Sequence, residues 1–443
     1  MGAVKCVQGA TIPTFTYGIQ IGWLSPNGPL LTSSASPARA PLTADAISWV
    51  AAALPLSAIL GVPLFSYSLD RFGRKRCVIA LSLLFSISWT IKLLAVDPTG
   101  LINARIVAGL ASGGCFIVTP TYIKEISEDS RRGTLSSLAM TVCKMGVIVV
   151  YGLGMCASYY TNQAVFLAVC LTHAALFTVM PESPAYLLKI GREQEAATAI
   201  AWLRHCHNTE CEVVQSEMTR LRLEENTCKG MPRVTFRSVL NDRVNLRAAV
   251  MALILNGIQT MSGCFAVINH AAGVLQRSGV GWSPHALALL MATVQLAGSM
   301  FTTATVEKFG RKIPLACSTI LVALCTGTLG FVFAFHSPGW LPATALVLCI
   351  FSYGAGLAPL PIVIMAEVFS YQVRAKLTGL CMAFSFFCSS VTLLFYSPVA
   401  SAFGEHVVFF VFSAMTLMGA LYVILFVPET KGKSLCEIQR YWE

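Results

Sequence analysis

The sequence predicts an all-α integral membrane protein with about twelve transmembrane helices, arranged in two six-helix halves. Of its 443 residues, 55% are hydrophobic and 12% are charged, whereas an ordinary soluble domain is roughly 25% charged. The apolar runs are long enough to cross a bilayer, because a hydrocarbon core of about 30 Å takes roughly 20 helical residues. A set of charged loop motifs also occurs twice along the chain, which indicates two related halves.

Apolar runs bounded by charged residues, Gly and Pro define the individual spans. They lie near residues 6–24, 46–67, 77–96, 101–124, 135–157, 163–181, 247–275, 284–306, 313–335, 340–365, 377–402 and 405–427. One long polar stretch interrupts them, with charge runs typical of short amphipathic cytoplasmic helices. We therefore predict halves at 1–181 and 247–427, a cytoplasmic helical linker at 182–246 and a cytoplasmic tail at 428–443.

Basic residues are concentrated in alternate loops, which sets the orientation of the chain. The positive-inside rule makes such loops cytoplasmic and places both termini on the same side. We expect an integral protein of the plasma membrane. The formal net charge of +10 is explained by these loops, so no nucleic-acid partner is expected. The basic loop residues are Arg71, Arg74, Lys75, Arg76, Arg131, Arg132, Lys308, Arg311, Lys312, Arg374 and Lys376.

The internal repeat consists of three matched motifs at nearly constant spacing. The segment Asp70 to Lys75 returns as Glu307 to Lys312, and Pro181-Glu182 returns as Pro428-Glu429. A third pair, Glu125 with Arg132, returns as Glu367 with Arg374. Six spans in each half make corresponding helices run in the same direction, so the halves should be related by an axis along the membrane normal.

Carboxylates recur in these loops together with the basic residues, and orientation alone does not require them. Two interpretations follow: the basic residues set topology only, or the charges form a network that closes the cytoplasmic side. The repeated acids favour a gating network of weak exposed ion pairs, each worth about 0–1 kcal/mol, which can also open. Its predicted members are Asp70, Arg71, Arg74, Glu125, Arg132, Glu182, Glu307, Arg311, Glu367, Arg374 and Glu429.

Polar and ionisable residues inside the spans are the candidate binding residues, because such groups usually face a cavity between helices. Lys144 lies about ten residues into the fifth span, too deep to reach either surface easily. It either faces the cavity or pairs with a group of its own half. Arg105 either reaches the outer surface or turns to the cavity. The full predicted set is Lys144, Arg105, Asn256, Gln259, Thr260 and Gln295.

The loop motifs resemble the sugar porters of the major facilitator superfamily, with the greatest likeness to insect facilitative trehalose transporters. The resemblance is carried by Asp70 to Lys75, Glu307 to Lys312, the Pro-Glu-Ser-Pro beginning at Pro181 and the Pro-Glu-Thr-Lys-Gly beginning at Pro428. It implies the major facilitator fold and alternating-access transport of a small polar solute. The solute would be a sugar, trehalose- or hexose-like. Gln259 would then bond to sugar hydroxyls.

Several positions depart from the family pattern. Thr260 and Phe265 replace a Gln and an Asn of the seventh helix, Ile362 replaces a Trp of the tenth, and Ser385-Phe386 replaces Asn-Trp of the eleventh. A non-hexose solute therefore stays open. Residues 6–24 also lack the Asp that the family's proton symporters carry in the first helix, which implies a uniporter.

Other functional classes find less support in the sequence. A nutrient sensor with a transporter fold stays open as an alternative, although the linker and tail leave little room for a signalling module. No catalytic motif of common hydrolases or NTPases is present, so no enzyme activity is expected. The group His205, Cys206, His207 and Cys211 matches no standard zinc spacing. We expect no cofactor or metal, and a monomer whose partners are the solute and the lipid bilayer.

Overall fold

The computed structural model is helical along nearly the whole described chain. It describes residues 2–443 except 38, 96, 128–131, 207, 231–241, 265, 268–283, 336–339, 370, 434–436, 439–440 and 442–443. No β-strand occurs among the described residues. This confirms the predicted all-α class.

The described first half begins with two helices separated by a short break at Trp23, and five further helices follow. Their bounds are α1 Gly2–Gly22, α2 Leu24–Thr32, α3 Ala44–Phe72, α4 Arg74–Leu94, α5 Pro98–Ile126, α6 Arg132–Cys156 and α7 Tyr159–Phe177. Three short helices follow in the region predicted as the linker. They are α8 Pro184–Lys189, α9 Glu193–Arg204 and α10 Glu212–Gly230.

In the second half, the described residues form seven helices and one π-helical segment. The helices are α11 Arg243–Met261, α12 Pro284–Phe309, α13 Lys312–Phe335, α14 Trp340–Ser352, α15 Leu360–Val368, α16 Tyr371–Phe403 and α17 Glu405–Phe426. The π-helical segment Tyr353–Leu357 joins α14 to α15. These two helices together form one membrane span.

Eleven helices of the described chain are long and apolar enough to cross a membrane. They correspond to the second to twelfth predicted spans, whereas α1, which contains the predicted span 6–24, is not among them. The reason is its polar content, which includes Thr11, Thr14, Thr16 and Gln20. All four are buried against neighbouring helices instead of lipid, so α1 needs less apolar surface than a lipid-facing helix.

Close packing of α3 on α5 depends on small residues at the crossing. A Cβ added at Gly109 would lie 2.1 Å from the Leu54 carbonyl oxygen, and one added at Gly113 would lie 2.2 Å from that of Ala58. Two backbones can approach this closely only where side chains are absent. Large apolar residues instead face outwards, such as Leu60 and Phe426, where lipid covers them.

The halves contact each other through apolar side chains. Phe116 of α5 packs edge-on against Phe386 of α16, with 5.8 Å between ring centroids. Val62 of α3 lies in the same cluster as Phe386. Ala288 and Leu393 of the second half are buried in the core of the first. The two helix bundles therefore share an interface that includes buried apolar side chains.

Candidate functional site

The first charge cluster joins α4, α5 and the start of α8. Arg74 Nη2 lies 2.7 Å from Glu125 Oε1, and both side chains are largely buried. The other Glu125 oxygen accepts a hydrogen bond from the Ser183 hydroxyl. Glu182 Oε1 accepts bonds from the backbone N–H groups of Arg74 and Lys75, at 2.9 and 3.0 Å. This carboxylate therefore caps the N-terminus of α4, where free N–H groups favour an anion.

The second cluster repeats this arrangement in the other half. Arg311 Nη2 lies 3.0 Å from Glu367 Oε1, and Glu367 Oε2 accepts a 2.5 Å bond from the Thr430 hydroxyl. Glu429 accepts bonds from the backbone N–H groups of Arg311 and Lys312, at 2.9 and 3.0 Å. Both clusters therefore use one carboxylate as an ion-pair partner and a second as a helix cap.

A glycine makes room for the capping carboxylate in each cluster. Gly73 has φ 91° and Gly310 has φ 82°, a region that residues with a Cβ rarely adopt. A Cβ at Gly73 would lie 2.3 Å from a Glu182 oxygen, and one at Gly310 would lie 2.4 Å from a Glu429 oxygen. The sequence prediction missed this role, although both glycines lie inside the repeated motif.

The electrostatics of Glu429 reflect its capping role. Burial raises the pKa of this carboxyl. Hydrogen bonds from the backbone N–H groups of Arg311, Lys431 and Lys312 lower the pKa by more, so the net pKa lies below its ordinary value. Hydrogen bonds to the charged form favour ionisation in this way. Glu429 is therefore suited to act as a fixed negative charge at the start of α13.

The remaining predicted network members of the first half lie at the edge of its cluster. Asp70 pairs with Lys189 of α8 at 2.8 Å, and both side chains are exposed. Arg71 donates to the Tyr67 hydroxyl at 2.8 Å. The side chain of Arg132 lies outside the described residues, so its predicted pairing stays a prediction.

In the second half, Glu307 is exposed and lies 3.3 Å from Arg311. Arg374 donates twice to the Phe369 carbonyl, at 3.2 and 3.1 Å, which caps the end of α15. The described ion pairs of the two clusters do not join one half to the other, and that of Asp70 joins the first half to Lys189 of the predicted linker. The charges therefore form one cluster at each half, and a network that closes one side of the protein stays a prediction.

Gln259 of α11 lies beside the broken tenth span. Its side-chain N–H group donates to the Ala358 carbonyl at 2.7 Å, immediately after the π-helical segment. Gln259 is half-buried, so part of its side chain is exposed.

Asn256 and Thr260, one turn before and one residue after Gln259, are more enclosed. Asn256 is 1% exposed, and its amide oxygen accepts a 3.0 Å bond from Ser385 of α16. Thr260 donates back to the Asn256 carbonyl at 2.9 Å. Asn256 therefore joins α11 to α16, whereas the hydroxyl of Thr260 donates within α11, so the structure provides less support for direct solute contact by them than by Gln259.

Lys144 crosses from one half to the other at mid-membrane depth. Its ammonium donates to the hydroxyl of Ser299 in α12. Ser299 in turn donates to the carbonyls of Gln295, at 3.1 Å, and Gly354 of the π-helical segment, at 3.3 Å. The sequence prediction named Lys144 and Gln295 but missed Ser299, whose only signal was a position one turn from Gln295.

Arg105 is placed differently from the predicted cavity-facing orientation. Its guanidinium is 2% exposed and donates to the carbonyls of Val50, at 3.0 Å, and Gln20, at 2.5 Å. Gln20 also accepts a 2.5 Å bond from Lys92, whose ammonium lies 4.2 Å from the ring centroid of Trp23. Arg105 therefore holds α1, α3 and α5 together, because only fixed carbonyls satisfy its donors there.

The described residues contain no group of three or more His, Cys, Asp and Glu side chains able to hold a metal ion. His207 of the sequence cluster lies outside them.

Comparison with known families decides the identity of the fold. Residues 14–442 match the family described as sugar (and other) transporters. The chain belongs to this sugar transporter family.

Relatives of this sugar transporter extend over most of its length. A facilitated trehalose transporter homologue of Drosophila simulans is 28% identical over 410 residues, which cover 90% of this chain and 82% of the relative. A facilitated trehalose transporter of Bombyx mori is 27% identical over 408 residues, covering 90% and 79%. The resemblance read from the loop motifs is thus confirmed.

Solved structures confirm the fold of the sugar transporter. The xylose transporter XylE of E. coli in an inward-open conformation has a TM-score of 0.83 at 20% identity, over 100% of both chains. Its partially occluded inward-open form has a TM-score of 0.79 at 16% identity, over 97% of this chain and 100% of the other. The described helices therefore adopt the fold of a major facilitator transporter.

Proposed function

We propose that this protein moves a sugar or a similar small polar solute across the membrane by alternating-access facilitated diffusion. The observation that carries the proposal is the convergence of polar side chains from both halves on the broken tenth span. Gln259 contacts it at Ala358, and Lys144 contacts it through Ser299 at Gly354. Solute sites of this architecture lie near the midplane between the repeats.

The trehalose and xylose transporters among its relatives support a sugar as the solute class. We propose uniport, because α1 contains no acid: Gln20 offers its backbone carbonyl to Arg105 and its amide oxygen to Lys92. The halves 1–181 and 247–427 would move against each other, with 182–246 and 428–443 in the cytoplasm of a plasma-membrane monomer. No catalytic step is proposed.

The cytoplasmic clusters fit rigid-body movement of the halves. Each cluster contains an ion pair that joins two helices of one half. The pair is Arg74 with Glu125 in the first half and Arg311 with Glu367 in the second. A half that is fastened in this way can rotate without losing its own packing. We propose that the clusters also set how the cytoplasmic ends of the halves meet when that side closes.

The test of the proposed function is solute uptake by proteoliposomes containing the purified chain. Labelled trehalose, glucose and xylose would be compared with empty liposomes, and accumulation should stop at the external concentration. Uptake of none of them and of no anionic sugar derivative, combined with saturable binding, would support a sensor instead.

The first prediction concerns Gln259. Gln259→Leu removes the side-chain amide but keeps a side chain of similar volume. Loss of the hydrogen bond costs about 1–3 kcal/mol of binding free energy when its partner stays buried. The expected result is a roughly five- to hundred-fold higher KM at normal membrane abundance. Gln194→Leu, in the exposed part of α9, is the matched control. An unchanged KM for Gln259→Leu would remove this residue from the solute site.

A further inference from the structure

The spanning helices contain cations without matching acids. In the described spanning helices, carboxylates occur only in the first and last turns, such as Asp45 of α3 and Glu405 of α17. Arg105 and Lys144 lie well inside their helices, and Lys92 is buried in the last turn of α4. A cation in this environment is costly and usually has a partner or a function.

Lys92 and Arg105 have partners inside the first half. Lys92 is 1% exposed, bonds to Gln20 and lies between the indole rings of Trp23 and Trp89, at 4.2 and 4.0 Å from their centroids. Cation–π contacts of this kind stabilise a desolvated ammonium. Arg105 is occupied by two carbonyls. Neither cation reaches the other half.

Lys144 differs because it lies between the halves. It is half-buried, and its described partner is the neutral hydroxyl of Ser299. An ammonium has three N–H donors and no acceptor, so this contact leaves donors and the full charge available. Gln295 lies one turn from Ser299 on α12, and its side chain is half-buried.

From this arrangement we propose that the solute carries an anionic oxygen group beside its hydroxyls, as a sugar acid does, and that Lys144 selects that group. The inference rests on the proposed transport function and specifies its substrate class. An anionic oxygen forms a stronger, charge-assisted bond with an ammonium than a hydroxyl does. Closure of the halves around a neutral solute would leave the charge of Lys144 uncompensated, which disfavours that solute.

The test needs a solute pair whose main difference is charge. D-glucuronate and its methyl ester have the same ring and hydroxyls, but only the first is an anion. Uptake of both by wild-type proteoliposomes should give a kcat/KM at least about 30-fold higher for glucuronate, the ratio expected when a buried charge pair replaces an unpaired charge. Glucose 6-phosphate forms a third arm, which separates phosphate from carboxylate recognition.

Variants locate the selectivity. Lys144→Met should reduce the glucuronate-to-ester ratio to near one, whereas Lys144→Arg should keep it clearly above one because the charge is kept. Lys433→Met, which removes an exposed lysine of the tail, should keep the wild-type ratio. Should Lys144→Met fail to insert, the wild-type ratio and the Lys144→Arg variant still decide the question.

The outcomes separate the two proposals. Equal uptake of glucuronate and its ester by the wild type, or an unchanged ratio in Lys144→Met, would overturn the assignment of Lys144. The proposed transport function would still stand if a neutral sugar were transported. A complete absence of uptake for neutral sugars, glucuronate and glucose 6-phosphate would contradict the proposed function itself.

Discussion

At the scale of single residues, the repeated loop motif positions a carboxylate on a helix start. Glu182 and Glu429 receive backbone N–H groups of the residues that follow Gly73 and Gly310. The acids that recur in the sequence are therefore not all ion-pair partners. A loop charge that binds backbone groups also holds its position when the ion pair beside it opens, since backbone donors do not move with side-chain rotamers.

The second prediction concerns the glycine of this motif. Gly73→Ala should lower the apparent unfolding midpoint in detergent, because the backbone strain of roughly 1–3 kcal/mol adds to the displacement of the Glu182 carboxylate. Gly191→Ala is the matched control, since Gly191 has φ 81° but no atom within 4 Å of its added Cβ. Equal losses in both variants would mean that the Glu182 contact contributes nothing.

The sequence predicted these charge clusters better than it predicted the surroundings of the candidate binding residues inside the spans. Arg74, Glu125, Arg311 and Glu367 recur at matched spacing, and the paired contacts follow from that pattern. The orientation of Arg105 could not be predicted in this way. It bonds to backbone carbonyls of other helices, and every residue type has such a carbonyl, so the sequence does not mark these partners.

At the scale of elements, the tenth span is the most irregular part of the described membrane region. In its π-helical segment the Ala358 N–H group bonds to the Tyr353 carbonyl at 2.8 Å, five residues back. Such segments often occur at functional sites. The sequence predicted one continuous span at 340–365. It did not predict the widened turn, because that turn depends on donors from α12 such as Ser299 and Thr302.

The third prediction tests the contact between this segment and α12. Gly354→Ala would place a Cβ 2.5 Å from the Gln295 carbonyl oxygen, a backbone atom that cannot rotate away. We expect a destabilisation of about 1–3 kcal/mol from overpacking, seen as a lower unfolding midpoint, together with slower uptake. Gly152→Ala in α6 meets no atom within 4 Å and should be neutral or slightly stabilising. Wild-type behaviour of Gly354→Ala would show that α12 and the π-helical segment are free to separate.

At the scale of the whole molecule, the two halves are similar in their charge clusters and different in their cores. The first half buries Lys92 and Arg105 in a polar network, whereas the described core of the second is mainly apolar with the bonded pair Asn256 and Ser385. Alternating access requires that contacts between such halves break and re-form. Apolar contacts suit this purpose, because they lack the directional partners that a broken ion pair would leave unsatisfied.

The last prediction tests movement at that interface. A Cβ added at Gly379 of α16 would lie 3.6 Å from Val62 Cγ1 of α3, close enough for cysteines at both positions to form a disulfide. The double variant Val62→Cys with Gly379→Cys should therefore cross-link under a membrane-permeable oxidant. If the halves separate here in each cycle, uptake should then fall to the level of empty liposomes and return on reduction. Each single variant, oxidised in the same way, controls for the native cysteines. A cross-linked protein that still transports at the wild-type rate would exclude separation of α3 from α16, and movement would have to occur elsewhere between the halves.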